Sequence, residues 1–290
     1  METTELLKRV RKIEIKSRGL TNQIFSGQYH SAFKGRGMAF SEVREYQFGD
    51  DIRSIDWNVT ARFNHPYVKI FEEERELTVM ILIDVSGSNK FGTKQQLKSE
   101  KITEIAAVLA FSAIQNNDKV GVIFFSNKIE KFIPPKKGTS HILRIIRELV
   151  DFKPENQTTN ISEPLKFLTN AIKKRCTAFL ITDFMDNNFS DAIKIASRKH
   201  DLIGIRIFDF RETELPNIGL LKFIDYETGK IFWADTSNKN LRQTHEMRWM
   251  KHEKKLLEVF MKSSIDVASI RTDEDYIKPL MTLFKKRSSR

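Results

Sequence analysis

The sequence predicts an α/β protein: a mainly parallel sheet with helices on both faces, preceded by a β-rich N-terminal extension. Three observations predict it. From residue 77 onward, apolar runs of six to eight residues alternate with amphipathic segments of ten or more. Such alternation fits βαβ units, whose crossover helices cover both sides of the sheet. The most apolar run, Leu77–Ile83, closes in Asp84-Val85-Ser86-Gly87-Ser88. A polar strand end of this kind is where open α/β sheets carry ligands. Residues 1–76 have a different texture, with a basic helix candidate followed by turns at Gly27, Gly35, Gly37 and Gly49. The division is therefore drawn as 1–76 and 77–290.

Each element follows from local pattern. Leu77–Asp84 reads as a buried strand, with Tyr67–Phe71 a strand upstream of it. Thr93–Asn117 reads as a helix, with Leu97, Ile102, Ile105, Ala106, Leu109 and Ala113 near helical spacing. Lys119–Phe125 is the next strand, and Lys128–Ile133 pairs with it through Ser126-Asn127. Thr139–Phe152 is helical, capped by Thr139 or Ser140. A polar loop, Pro154 to Asn160, leads to a helix over Ser162–Lys174 and a strand over Thr177–Thr182 ending in Asp183. Ser190–Lys199 is a short helix and Asp201–Phe208 a buried strand. Leu220–Tyr226 and Lys230–Ala234 flank Glu227-Thr228-Gly229 as a hairpin. Asn240–Lys262 is a long basic helix, Ile265–Ile270 a strand and Asp273–Lys286 a helix.

Composition narrows the function classes. Of 290 residues, 40% are hydrophobic and 30% charged, as in an ordinary globular protein. The longest nearly apolar stretch, Ile105–Ile114, is too short to span a bilayer. Met1–Leu20 is charged throughout and lacks the apolar core of a signal peptide, so a cytoplasmic location is expected. The single Cys176 beside an apolar strand reads as core filler. The net charge of +11 sits at the ends: +5 on residues 1–36, +5 on 241–290 and +1 between. Basic ends suit an acidic protein partner, nucleic acid or peripheral contact with an anionic membrane. They lack the interleaved aromatics and glycines of a base-stacking surface, which disfavours nucleic acid.

Asp84, Ser86 and Ser88 place one carboxylate and two hydroxyls at alternate positions, on one side of an extended backbone. Hard oxygen donors suit a hard cation such as Mg2+, with Mn2+ or Ca2+ as other candidates. A second strand ends in Asp183, and Gln157-Thr158-Thr159-Asn160 lies between the two in sequence. In a doubly wound sheet these three segments meet above one edge. The alternative is capping, by Ser86, Ser88, Thr159 or Asp183, of the helices that follow.

Asp84-x-Ser86-x-Ser88, a later loop threonine and a later strand-ending Asp resemble the metal-ion-dependent adhesion site of von Willebrand factor A domains. The resemblance implies a von Willebrand factor A-like fold over residues 77–290. It implies that the serines contact the cation directly, and the threonine and aspartates directly or through water. The open position then accepts an acidic side chain of a partner. The family usually carries glycine before the threonine, whereas this chain has Gln157 and Thr158. Thr159 is the assigned ligand because Thr159-Asn160-Ile161 leads into the helix, with Thr158 as the alternative.

Upstream, Phe33-Lys34-Gly35-Arg36-Gly37 precedes Arg44-Glu45-Tyr46-Gln47-Phe48-Gly49-Asp50-Asp51-Ile52-Arg53-Ser54-Ile55-Asp56-Trp57 and Thr60-Ala61-Arg62. This block resembles the signature of the bacterial family catalogued as domain of unknown function 58. That resemblance implies action beside a MoxR-type AAA+ ATPase, or on client proteins offering Glu or Asp. Arg44, Arg53 and Arg62 alternate with Asp50, Asp51 and Asp56 around Tyr46 and Trp57, a composition suited to a turn pinned by Arg–carboxylate pairs.

Several chemistries are disfavoured. Gly87 and Gly92 have the outer spacing of a phosphate-binding loop, but Thr93-Lys94 reverses its Lys-then-hydroxyl order. No GxSxG, HExxH or CxxC occurs, and His245 and His252 read as surface residues. The expected function is a non-enzymatic, metal-dependent interaction module. Nucleic-acid binding through the basic ends and metal-assisted hydrolysis are the alternatives.

Overall fold

The alternating pattern folds as α1 (Thr3–Leu20), β1 (Ala39–Glu45), α2 (Trp57–Phe63), β2 (Tyr67–Glu72) and β3 (Thr78–Asp84), followed by α3 (Lys98–Gln115). Next come β4 (Lys119–Phe125), β5 (Ile129–Lys136), α4 (Thr139–Val150), α5 (Ser162–Ala171), β6 (Thr177–Thr182) and α6 (Ser190–Lys199). The chain continues through β7 (Asp201–Phe208), α7 (Phe210–Thr213), β8 (Leu220–Ile224), β9 (Ile231–Asp235), α8 (Lys239–Lys262), β10 (Asp266–Arg271) and α9 (Ile277–Ser288). The computed structural model describes residues 3–20, 29, 39–72, 77–92, 97–225 and 229–289.

Six strands form one sheet in the order β10-β7-β6-β3-β4-β5. Every pair is parallel except β4–β5. This is the mainly parallel α/β arrangement that the alternating pattern predicts. Strand order reverses at β3, which lies between β4 and β6, so its carboxyl end is the switch point where such sheets bind ligands. Strand β5 carries Pro134 and Pro135. Prolines cannot donate to a ladder, and their place on an edge strand spares the sheet that loss.

Alternation along the strands builds a core on each face. Met80, Leu82, Ile123, Phe125, Ala178 and Leu180 pack with Leu165 of α5, Ile193 of α6, and Leu256 and Phe260 of α8. Val79, Ile81 and Ile83 face the other way and are fully buried. Helix α3 covers that side, against β3, β4 and β7, through Ile102, Ile105, Leu109 and other buried residues.

Some boundaries differ from the pattern. Helix α4 is capped by Gly138 at φ +98°, with Thr139 already its first residue. A left-handed backbone favours glycine there over Thr139 or Ser140. Helix α5 ends at Ala171, where Ile172 turns extended and leads toward β6. The start of the helix expected at Thr93 lies outside the described residues.

The chain divides into residues 1–32 with 78–290, and residues 33–77. The division at 76/77 therefore misplaces the first helix, because α1 packs on α3 and α4 and buries Val10. The smaller unit holds the antiparallel pair β1–β2, the short α2 and a bridge between Ile55 and Val68. Within it, Arg44 makes a two-pronged pair with Asp50, at 2.8 and 2.7 Å. The other acids do different work from the Arg pairing expected. Asp51 accepts from Arg53 N, and Asp56 caps α2 through Asn58 N and Val59 N while lying 3.4 Å from Lys69. Trp57 is exposed. Phe33–Gly37 and the acidic run at 73–76 lie outside the described residues.

Candidate metal centre

At the carboxyl end of β3 the chain turns sharply so that Asp84 accepts from its own loop. Asp84 Oδ1 takes the Ser86 N–H at 2.9 Å, and Asn89 Nδ2 donates to the Asp84 carbonyl at 2.9 Å. Asp84 Oδ2 takes the Thr182 hydroxyl at 2.6 Å, tying the end of β3 to the end of neighbouring β6. Ser86 Oγ and Ser88 Oγ lie 3.1 Å apart. The Ser88 hydroxyl also bonds Asp183, and the Ser86 hydroxyl bonds Asp84. The buried Asp84, Ser86 and Asp183 and the half-buried Ser88 thus form one contiguous set.

The threonine loop is held beside this set. Gly87 N donates to the Gln157 carbonyl at 2.7 Å, and Asn160 N to the Ser126 carbonyl at 3.0 Å. Thr158 and Thr159 are both half-buried in it. Neither caps α5: Ser162 N is taken by Asn160 Oδ1 and Ile161 N by Asp186 Oδ2. Asp183 does not cap α6 either, since its Oδ1 accepts from Met185 N at 3.2 Å, well before Ser190. Ser86 precedes a short 3-10 turn but makes no side-chain cap bond to it.

The sequence reading missed the cation already present. Lys98 is fully buried, its Nζ 3.1 Å from Asp183 Oδ2 and in contact with Glu212 Oε1. Glu212 is positioned by α7, where it accepts from Asp209 N at 2.8 Å in a reciprocal cap. The spacing Asp209-x-x-Glu212 is the one available sequence signal for it. Lys98 has none, because a lysine at the start of an amphipathic helix reads as solvent-facing. His245 and His252 are half-buried rather than surface residues. His245 Nε2 lies 2.8 Å from the Glu212 carbonyl, and burial lowers the pKa of His252.

Electrostatics follow from burial. Desolvation, then the Asp183 charge, push the Asp84 carboxyl up to about 7, against hydrogen bonds from Thr182 and Ser86. Burial also raises Asp183, but the Lys98 charge and several hydrogen bonds outweigh it and hold this carboxyl below its ordinary value. Desolvation works against the Lys98 ammonium, yet Asp183 and Glu212 more than offset it. Glu212 is raised, chiefly by burial.

Two acidic side chains, Asp183 and Glu212, therefore pair with one ammonium, and a third, Asp84, lies beside Asp183. With Asp84, Asp183 and Glu212 all ionised the cluster carries two surplus negative charges, and Asp84 removes one of them by holding a proton near neutrality. A divalent cation would offset both instead. Among the described residues no three His, Cys, Asp or Glu side chains gather as a metal cluster. The donors here are two carboxylates and hydroxyls, a set that fits a hard ion and not zinc.

Residues 42–255 match the family model described as "Protein of unknown function DUF58". The chain belongs to the DUF58 family. That span contains the Arg44–Asp50 turn, the Asp84 loop, Lys98, Thr159, Asp183 and Glu212. Among curated relatives, the uncharacterized protein Rv1480 of Mycobacterium tuberculosis is 24% identical, over 99% of this chain and 91% of its own length. The uncharacterized protein YeaD of Bacillus subtilis is 26% identical, over 42% of this chain and 27% of its own. Among solved structures, conserved hypothetical protein BatB from Bacteroides thetaiotaomicron is 19% identical. It has a TM-score of 0.49 and covers 74% of this DUF58 chain and 100% of its own. The SpRpn10 VWA domain is 11% identical with a TM-score of 0.42, covering 73% and 95%. No described helix is long and apolar enough to cross a membrane.

Proposed function

We propose that this DUF58 chain is a non-enzymatic protein-interaction module whose Asp84 centre takes Mg2+, or Mn2+ or Ca2+ in its place. Asp84, Ser86, Ser88, Thr159 and Asp183 would hold the ion, with Lys98 keeping Asp183 ionised. The ion would supply a positive, oxygen-seeking point for a Glu or Asp of a partner. The observation that carries this reading is the surplus of buried negative charge: Asp84 beside Asp183 at the switch point of the sheet, with one ammonium shared between Asp183 and Glu212. Around that point the chain supplies hydroxyls and backbone donors.

The partner proposed is a MoxR-type AAA+ ATPase or one of its clients, with this chain acting as adaptor. The test is recovery of a MoxR-type ATPase by the purified protein in Mg2+ and in EDTA. Recovery is expected to fall in EDTA and with Asp84→Ala, while the folded circular-dichroism spectrum of the variant stays. Equal recovery in both buffers would sink the reading.

A further inference from the structure

Helix α8 is 24 residues long and buries only Leu256 and Phe260 fully. Its outward side carries Met247, Met250, Leu257 and Met261, exposed at 61, 59, 52 and 71%. These positions, with exposed Lys254 between them, advance by three, four, three and four residues. That is the seam of a heptad, the 3.5-residue repeat by which one helix packs along another. A solvent-facing helix has no reason to hold four large apolar side chains in such register. Methionine is also the apolar residue best able to adapt to a partner's surface.

Charge says what fits. Over Lys239–Lys262 the helix has seven Lys or Arg against three Glu. Lys251, Lys255 and Lys262 follow one flank of the seam, on helical spacing. Along that flank runs a groove of about 260 Å³ lined by Lys194, Lys255, Lys262, Asp186, Glu258 and Val259. The Asp186 carboxylate is already engaged by Ile161 N and Asn188 N. Lys194 is paired with Asp191 at 3.8 Å and Glu258 lines the same groove, so Lys255 and Lys262 are the lysines left to meet an anion beside the apolar ridge.

We infer that the outward stripe of α8 is a docking face for an amphipathic helix of another protein, apolar along its seam and acidic on its flank. A second copy of this chain fits poorly, because it would bring one row of lysines against another. An anionic lipid surface fits poorly too. The stripe is one seam wide, is broken by Lys254, and is flanked by Glu258, whereas a helix lying in a membrane needs a broad apolar face. The inference does not depend on a cation at Asp84, and binding at α8 persists in EDTA.

The probe is a synthetic helical peptide of heptads with Leu along the seam and Glu on the flanks; its control carries Lys in place of Glu. The acidic peptide is expected to bind the full chain, and the Lys peptide not. Leu257→Glu or Met250→Glu should weaken binding at least about tenfold. Lys255→Glu with Lys262→Glu, which leaves the apolar stripe intact, should shift preference toward the Lys peptide. Unchanged melting temperatures would show that these exposed substitutions leave the fold alone. The inference is overturned if the acidic peptide does not bind, or if both peptides bind alike. It is equally overturned if the variants bind as the parent does. Binding to phosphatidylglycerol vesicles, or dimerisation in sedimentation, that Leu257→Glu abolishes without any peptide binding would assign the face to lipid or self-association instead.

Discussion

The Lys98 ammonium lies 3.1 Å from Asp183 Oδ2 with both side chains buried, so the candidate cation centre has a cation of its own beside it. Lys98 also reaches Glu212, whose carbonyl meets His245 of α8. The network links the end of β6 to α3, α7 and α8. A buried ion pair is weak proof of stability, but removing one partner strands the other's charge at high cost. Lys98→Met should destabilise the protein by about 3–5 kcal/mol in urea unfolding. If the proposed cation site is real, Mg2+ should raise the variant's melting temperature more than the parent's. A variant as stable as the parent would refute the role given to Lys98.

Asp84 ties stability to pH. Its carboxyl titrates at about 7 in the folded chain against an ordinary value of 3.8. The unfolded chain therefore loses this proton first, and the folded state is favoured by holding it. That contribution is complete below the unfolded value and disappears as pH rises through the folded one. Without divalent ions, stability should fall from about pH 4 to about pH 7, and Asp84→Asn should flatten the fall. At about pH 8 in EDTA the variant should be the more stable by about 1–3 kcal/mol. Mg2+ should stabilise the parent more at high pH than at low, since it competes with a proton, and the Asn variant hardly at all. Identical pH profiles for the two proteins, measured by thermal unfolding, would contradict the burial argument.

Much of the sheet was legible because its strands are buried on both faces and read as apolar runs. The expected bounds of Lys119–Phe125, Thr177–Thr182, Ser190–Lys199 and Asp201–Phe208 coincide with the elements. Asp84, Ser86, Ser88 and Asp183 were legible because each sits at a strand end, and topology brings such ends together. Lys98 and Glu212 were not, since their partners lie 85 and 114 residues apart along the chain. Nothing local marks a lysine that turns inward. Asp51 and Asp56 misled for the opposite reason: neighbouring arginines suggested ion pairs, while the backbone N–H groups two or three residues on were closer donors. The first helix was assigned to the wrong unit because packing of α1 on α3 leaves no trace in local pattern.

Gly121 marks a tight strand crossing. A Cβ there would meet Met80 Sδ at 2.7 Å, Pro135 N at 2.9 Å and the Ile133 carbonyl at 3.0 Å. Methionine can move aside, but two of the three neighbours are backbone of the edge strand β5. Gly121→Ala should therefore cost about 1–3 kcal/mol, as overpacking does. Met80→Ala in the same background should relieve only the side-chain part. Wild-type stability of Gly121→Ala in urea would show that β5 yields freely.

Cys176 tests whether a buried Cys–His contact is inert. Its Sγ lies 3.2 Å from His200 Nδ1, the distance of a thiol–imidazole pair in an enzyme. Burial drives the two groups apart in pKa, however. It pushes the thiol up to about 12, with the Asp201 charge adding to it, and brings His200 down to about 4. Both are neutral at physiological pH, and a nucleophile needs the thiolate. The native protein should therefore react with Ellman's reagent or iodoacetamide only at the rate of its unfolding, and rapidly once urea is added. Cys176→Ser should leave partner binding unchanged. It should cost about 1–3 kcal/mol in stability, because a hydroxyl replaces a soft apolar group in the core beneath β6. Fast labelling of the folded chain near neutral pH would mean that the thiol is ionised and the strand end open, and would overturn the reading of Cys176 as core filler.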